Sequence, residues 1–158
     1  MKLLFKQRLF AWIDSYDIFD ENGQNVYEVK GHFGWGHRFS VHDKWGNEVG
    51  MVKQKIFSFL PKFDIFLGGN EVGRITKQFS FFHPKFTIDY KGWKVEGNYM
   101  EWNYTVLDMM DNPVATVSKE IFNFTDTYSI DVIHEDDALP VLMLVLAIDA
   151  EKCSRRND

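Results

Sequence analysis

The chain has 158 residues, 45% of them hydrophobic, enough for one domain with a sizeable core. Its net charge of −5 argues against a general nucleic-acid or anionic-membrane binder. The lone cysteine, Cys153, excludes an internal disulfide framework and fits a reducing, cytoplasmic compartment.

The N-terminal run Met1-Lys2-Leu3-Leu4-Phe5-Lys6-Gln7-Arg8 has its apolar residues interrupted by charge, so it does not read as a signal peptide. From there the dominant feature is a repeat. Val26, Val49, Val72 and Val95 each lie 23 residues from the next. A similar phrase precedes each, as in Asp43-Lys44-Trp45-Gly46-Asn47-Glu48-Val49-Gly50 and Gly68-Gly69-Asn70-Glu71-Val72-Gly73, and a looser copy ends Asp108-Met109-Met110-Asp111-Asn112-Pro113-Val114. A fixed period marks a repeated supersecondary unit. Each unit places two short segments of β-branched, aromatic and aliphatic residues around a glycine-centred turn, which is a hairpin pattern. The connections between units repeat as well. Ile56-Phe57-Ser58-Phe59-Leu60-Pro61 returns as Phe79-Ser80-Phe81-Phe82-His83-Pro84, and Ile121-Phe122-Asn123-Phe124 copies Ile56 to Phe59. Proline cannot donate to a strand ladder, so these positions read as corners between hairpins. The segment from about 5 to 133 is therefore predicted as an antiparallel meander of ten to twelve strands. A sheet of that size curls, splits or closes, and closure removes its exposed edges.

After Glu135-Asp136-Asp137 the run Ala138 to Ile148 is apolar throughout. Three acids and Pro140 are helix-start chemistry, and the predicted helix spans about 137–152. A helix apolar on every side must be buried all round. Eleven residues fall short of the roughly 20 that cross a bilayer, so the helix is expected inside the protein. A barrel of about twelve strands is wider than side chains alone fill, and a helix about 10–12 Å across would plug it.

These phrases resemble the LURP-one-related family, which sits with the tubby C-terminal-like proteins and the phospholipid scramblases. The carriers are Phe39-Ser40-Val41-His42-Asp43, Gly46-Asn47-Glu48-Val49-Gly50, the run from Lys53 to Phe59, Phe86-Thr87-Ile88 and the closing helix, and the likeness extends from Phe5 to about Lys152. It implies a mainly β fold: a closed antiparallel barrel of about twelve strands around a central C-terminal hydrophobic helix, one domain over 1–158. It implies no catalytic residues and no cofactor. It suggests a module binding a protein or an anionic lipid head group, without integral membrane insertion. The alternatives are a scramblase-like phospholipid-associated protein, or an enzyme or carrier with a pocket at a barrel mouth. No residue set matches the tubby lipid site, so none is carried over.

The residues add their own candidates. Lys53, Lys55, Lys62, Arg74, Lys77 and Lys85 recur with the period and are expected to line up as a basic stripe for an anionic head group or acidic partner. The competing reading is that lysines guard strand ends and keep the surface soluble. His32, His37 and His42 invite a metal reading, but their five-residue spacing alternates faces of a strand, and no fourth ligand is indicated. Asp126, Asp131, Glu135, Asp136 and Asp137 lack the spacing of a calcium loop, and helix capping accounts for the last three. Trp12, Trp35, Trp45, Trp93 and Trp102 could mark an interface, and Trp45 and Trp93, next to turn glycines, are expected to be partly exposed, although single exposed aromatics need no function. Cys153, just past the apolar run, is a conceivable acylation site, with an incidental thiol the simpler account. No nucleophile–base–orienter set is present in the sequence.

Overall fold

The computed structural model describes residues 1–6, 15–32, 36–78, 85–122 and 125–154, with side chains unassigned at 6, 120–126 and 153–154. Pro84, Trp12, Trp35 and the tail after Ser154 lie outside the described residues, as do the side chains of Asp126 and Cys153. Twelve strands form one antiparallel sheet. They are β1 (Lys2–Lys6), β2 (Ser15–Asp20), β3 (Asn25–His32), β4 (Arg38–Asp43), β5 (Glu48–Gln54), β6 (Lys62–Leu67), β7 (Asn70–Gln78), β8 (Lys85–Asp89), β9 (Lys94–Asn98), β10 (Asn103–Leu107), β11 (Pro113–Phe122) and β12 (Thr125–Val132). A 3-10 turn over Glu135–Asp137 leads into α1 (Ala138–Ser154). Strands begin at Lys2, earlier than expected, because β1 pairs with β12 from Lys2↔Asp131 to Lys6↔Thr127.

The ladder runs β8-β7-β6-β5-β4-β3-β2-β1-β12-β11-β10-β9. The barrel is nearly closed, and its seam falls between two strands consecutive in the chain, β8 and β9. Aromatic contacts lie at the seam: Phe86 meets Tyr99 edge-on at 5.1 Å, and Tyr90 meets Trp93 at 5.0 Å.

The 23-residue period has a structural meaning. Ile18 pairs with Tyr27 while Phe19 pairs with Asn25, so Val26 is an extra residue in its strand. The same shift leaves out Val49 between Gly50 and Glu48, Val72 between Gly73 and Glu71, and Val114 between Ala115 and Pro113. Val26, Val49, Val72 and Val114 are each a β-bulge just after a hairpin turn. Bulges bend a strand and increase its twist, which is what curls a wide sheet into a barrel. Val95 is the exception. It pairs in register with Val106, and its strand borders the seam.

Three of the turns share one plan. In the β4–β5 turn the Asp43 carboxylate accepts from the backbone N–H of Trp45 and of Asn47, each at 2.9 Å. Asp108 accepts likewise from Met110 and Asn112, and Asp20 from Asn22 and Gln24. The fourth residue of each turn has positive φ: Gly23 at 76°, Gly46 at 86° and Asp111 at 65°. All these turns lie at one end of the barrel, here the turn end. The longer connections, including 55–61, lie at the other, the loop end. The third copy of the loop phrase departs from expectation. Ile121 and Phe122 belong to β11, and the ladder continues to Phe122↔Thr125. Where Pro61 interrupts the first copy, the third has Asp126, which keeps its N–H.

α1 fills the lumen. Every residue from Val141 to Ala150 is buried, among inward side chains such as Phe39, Val52, Phe63, Ile75 and Val117. Helix and wall approach closely at Gly50, where a β-carbon would lie 2.7 Å from Met143 Sδ.

Candidate functional site

Strand alternation sorts the six recurrent cations. In β5 to β8 the inward residues are Val52, Phe63, Ile65, Ile75 and Ile88, all buried. The pairings Lys53↔Asp64, Asp64↔Arg74 and Arg74↔Asp89 therefore form one row across the outer wall. Asp64 lies on this outer face yet its side chain is only 8% exposed, because two cations cover it. Arg74 Nε donates to it at 2.5 Å, Lys55 Nζ lies 3.4 Å away, and Arg74 also reaches Glu71 at 3.2 Å. The Asp64 carboxylate holds the Arg74 guanidinium above its ordinary range.

Lys77 does not join the outer row. It points into the barrel and pairs with Glu151 of α1, which is buried. Lys53, Lys62 and Lys85 remain. Each belongs to the outer face near the loop end, and among the described residues none has a carboxylate oxygen within 4.0 Å. So five of the six share the outer face of β5 to β8 and the adjoining loop, and three of those have no ion-pair partner among the described residues.

The loop between β5 and β6 stands at the same end. Lys55 N–H donates to Lys62 O at 2.9 Å, closing its neck. Gln54 fastens its root, exchanging bonds with the backbone N–H and C=O of His37 at 3.0 and 2.8 Å. Beyond the neck Phe57 is 97% exposed and Phe59 92%, with Ile56 also outward. Sequence reasoning treated this run as a corner and missed it as a surface. Its signal is an apolar run bounded by Lys55 and Lys62 and stopped by Pro61, which differs from a buried strand only in length and setting.

The other candidates resolve differently. His32 Nε2 meets Ser40 Oγ at 3.1 Å, and the His37 ring stacks on Phe39, where burial lowers its pKa. Among the described residues no three His, Cys, Asp or Glu side chains converge as metal ligands. Asp131 faces Lys2 at 3.4 Å and Asp137 pairs with Lys91 at 2.8 Å. Trp45 is 75% exposed at its turn, but Trp93 is buried at 5%, packed against Tyr90, so the expectation of an exposed Trp93 is corrected. Trp102 is buried too, edge-on to Phe5 at 6.0 Å and tilted against Tyr128 at 4.5 Å, with Lys152 Nζ 4.2 Å from its ring centre.

The last turns of α1 carry a surprise. Asp149 and Glu151 are both buried inside the barrel. Burial, with the Asp149 carboxylate adding to it, raises the Tyr16 and Tyr104 hydroxyls well above the usual phenol value. Lys152 donates to Tyr99 O at 2.9 Å.

Comparison with known proteins fits this architecture. The LURP-one-related family model matches residues 1–149. The chain belongs to the LURP-one-related family. A relative in it is YxjI of Bacillus subtilis (strain 168), itself uncharacterised, 29% identical over 150 residues, which cover 94% of this chain and 92% of that one. An X-ray structure of an Arabidopsis thaliana protein superposes with a TM-score of 0.62 at 14% identity, covering 94% and 91% of the two chains. That likeness concerns the fold alone. No described helix of this LURP-one-related chain is long and apolar enough to cross a membrane.

Proposed function

We propose that this LURP-one-related protein is a non-catalytic binding module whose contact surface is the loop end of β5 to β8, and whose partner presents negative charge. One observation carries the reading. Lys53, Lys62 and Lys85 share one outer surface without carboxylate partners among the described residues, while neighbouring Lys55 and Arg74 are held by Asp64. Cations left in this state keep their full attraction for a phosphate or carboxylate on a partner. The helix-filled lumen supports recognition by the outside of the barrel rather than by a central cavity.

Charge reversal tests this. The double variant Lys62→Glu/Lys85→Glu is expected to weaken binding to an anionic probe, such as polyglutamate or anionic vesicles, by about tenfold or more. Lys85 is exposed and Lys62 half-buried on the outer face, neither in the core, so the melting transition is expected to be preserved. Undiminished binding in a folded double variant would refute the surface.

A further inference from the structure

Net charge describes the whole chain, not the face it presents. The turn end carries Asp20, Glu21, Asp43, Asp108, Glu135 and Asp136, against Lys44, Lys91 and Lys94. The loop end of β4 to β8 carries Arg38, Lys53, Lys62 and Lys85. A six-residue strand separates the two by about 20 Å. That is more than twice the Debye length of about 8 Å at physiological ionic strength, so the acidic end is largely screened from anything that meets the loop end of β4 to β8. A net charge of −5 therefore does not forbid an anionic partner at the loop end.

The loop 55–61 narrows the choice of partner. Phe57 and Phe59 project on a loop whose neck and root are fixed by backbone bonds. Serine separates them, and lysines bracket the run at Lys55 and Lys62. A protein partner that buried such a projection would need a pocket shaped to it. A bilayer interface needs none, because lipid chains flow around a ring of any orientation. Aromatic rings below a collar of lysines at head-group level are the arrangement that interface favours.

We infer that the loop 55–61 is a membrane wedge: Phe57 and Phe59 enter the interface of an anionic bilayer while Lys53, Lys62 and Lys85 contact its head groups. This rests on the binding-module reading above and names its partner. The protein docks end-on by this mode, with α1 still enclosed and the turn end facing away from the bilayer.

The test is co-sedimentation of the full chain with mixed phosphatidylcholine–phosphatidylglycerol vesicles and with pure phosphatidylcholine vesicles. The expected result is partitioning onto the mixed vesicles that weakens as salt is raised. Phe57→Ser/Phe59→Ser is expected to reduce it about tenfold or more with an unchanged melting temperature. Phe57→Ser alone, at the more exposed ring, is expected to reduce it about threefold or more. Unchanged partitioning in folded serine variants would overturn the wedge and leave the anion-binding surface standing. Failure of the wild type to bind either vesicle, with lysine-dependent binding to polyglutamate retained, would overturn the membrane and point to an acidic protein. Failure with every anion would remove both readings.

Discussion

The two ends of this barrel are built on different principles. At the turn end side chains satisfy their own backbone. Asp20, Asp43 and Asp108 each accept two N–H groups of the loop they begin, and the following valine bulges to turn the strand. At the loop end Lys53, Lys62, Phe57 and Phe59 direct charge and apolar surface outward. A motif that completes itself holds a fold and has little left to offer a partner. A loop whose large side chains stay exposed holds less of the fold and offers more surface for contact. Substitutions at the first end should therefore register in stability, and substitutions at the second in binding.

The most severe way to break this contrast is to remove what both ends enclose. Ending the chain before Ala138 deletes a helix whose residues from Val141 to Ala150 are all buried. Each large apolar side chain there contributes about 1.5–3 kcal/mol, and together they exceed the net stability of about 5–15 kcal/mol of an ordinary domain. The truncated chain is expected to show no cooperative unfolding in calorimetry, with turn and loop ends lost together. A sharp transition near the full-length temperature would show that the wall stands without its plug.

Acid sharpens the comparison more gently. The Asp43 carboxyl lies below the ordinary carboxylate value, chiefly through the Asn47 side chain, with N–H groups of its turn adding to it. Asp108 is lowered by Asn112 in the same way. A carboxyl depressed in the folded state stabilises above its unfolded pKa, and that contribution fades as pH falls through the folded value. Stability from these turns is therefore present near neutrality and is lost progressively below about pH 4. Melting temperatures measured along an acid series should fall less steeply for Asp43→Asn, whose amide oxygen still accepts but cannot titrate. Superimposable profiles for variant and wild type would mean that the turn carboxylates do not govern acid unfolding.

The same division explains what could be read from the chain. The turn end was legible because its causes are local. A glycine, an aspartate four residues before an asparagine and a valine at fixed offset act within eight residues, and the all-apolar run from Ala138 to Ile148 states its own burial. That the valine is a bulge was not legible, since the extra residue exists only relative to the opposite strand. The seam escaped for the same reason. Lys77 is a cation in a series of cations, and its inward direction follows from its register against β6 and from Glu151, 74 residues away. Asp149 and Glu151 resemble an ordinary polar end to an apolar helix, and only a barrel long enough to enclose them makes them buried. Phe57 and Phe59 were read only as part of a corner, and their exposure follows from a proline and two lysines that keep the run out of the sheet.

The mildest test lies inside the turn motif. At Gly46 φ is 86° and no atom lies within 4 Å of where a β-carbon would go, so Gly46→Ala meets backbone strain and nothing else. The expected loss is about 1 kcal/mol, read from the shift in denaturation midpoint at constant slope. Asp111 holds the corresponding place in the β10–β11 turn at φ 65° and already bears that strain. Its contact with Lys94 is between exposed groups and is worth little. Asp111→Gly is therefore expected to move the midpoint the other way, by less than about 1 kcal/mol, since glycine removes the strain but gives up more chain entropy on folding. If both substitutions shift the midpoint in the same direction, the two turns are not equivalent, and the repeat is one of sequence without a shared conformational cause.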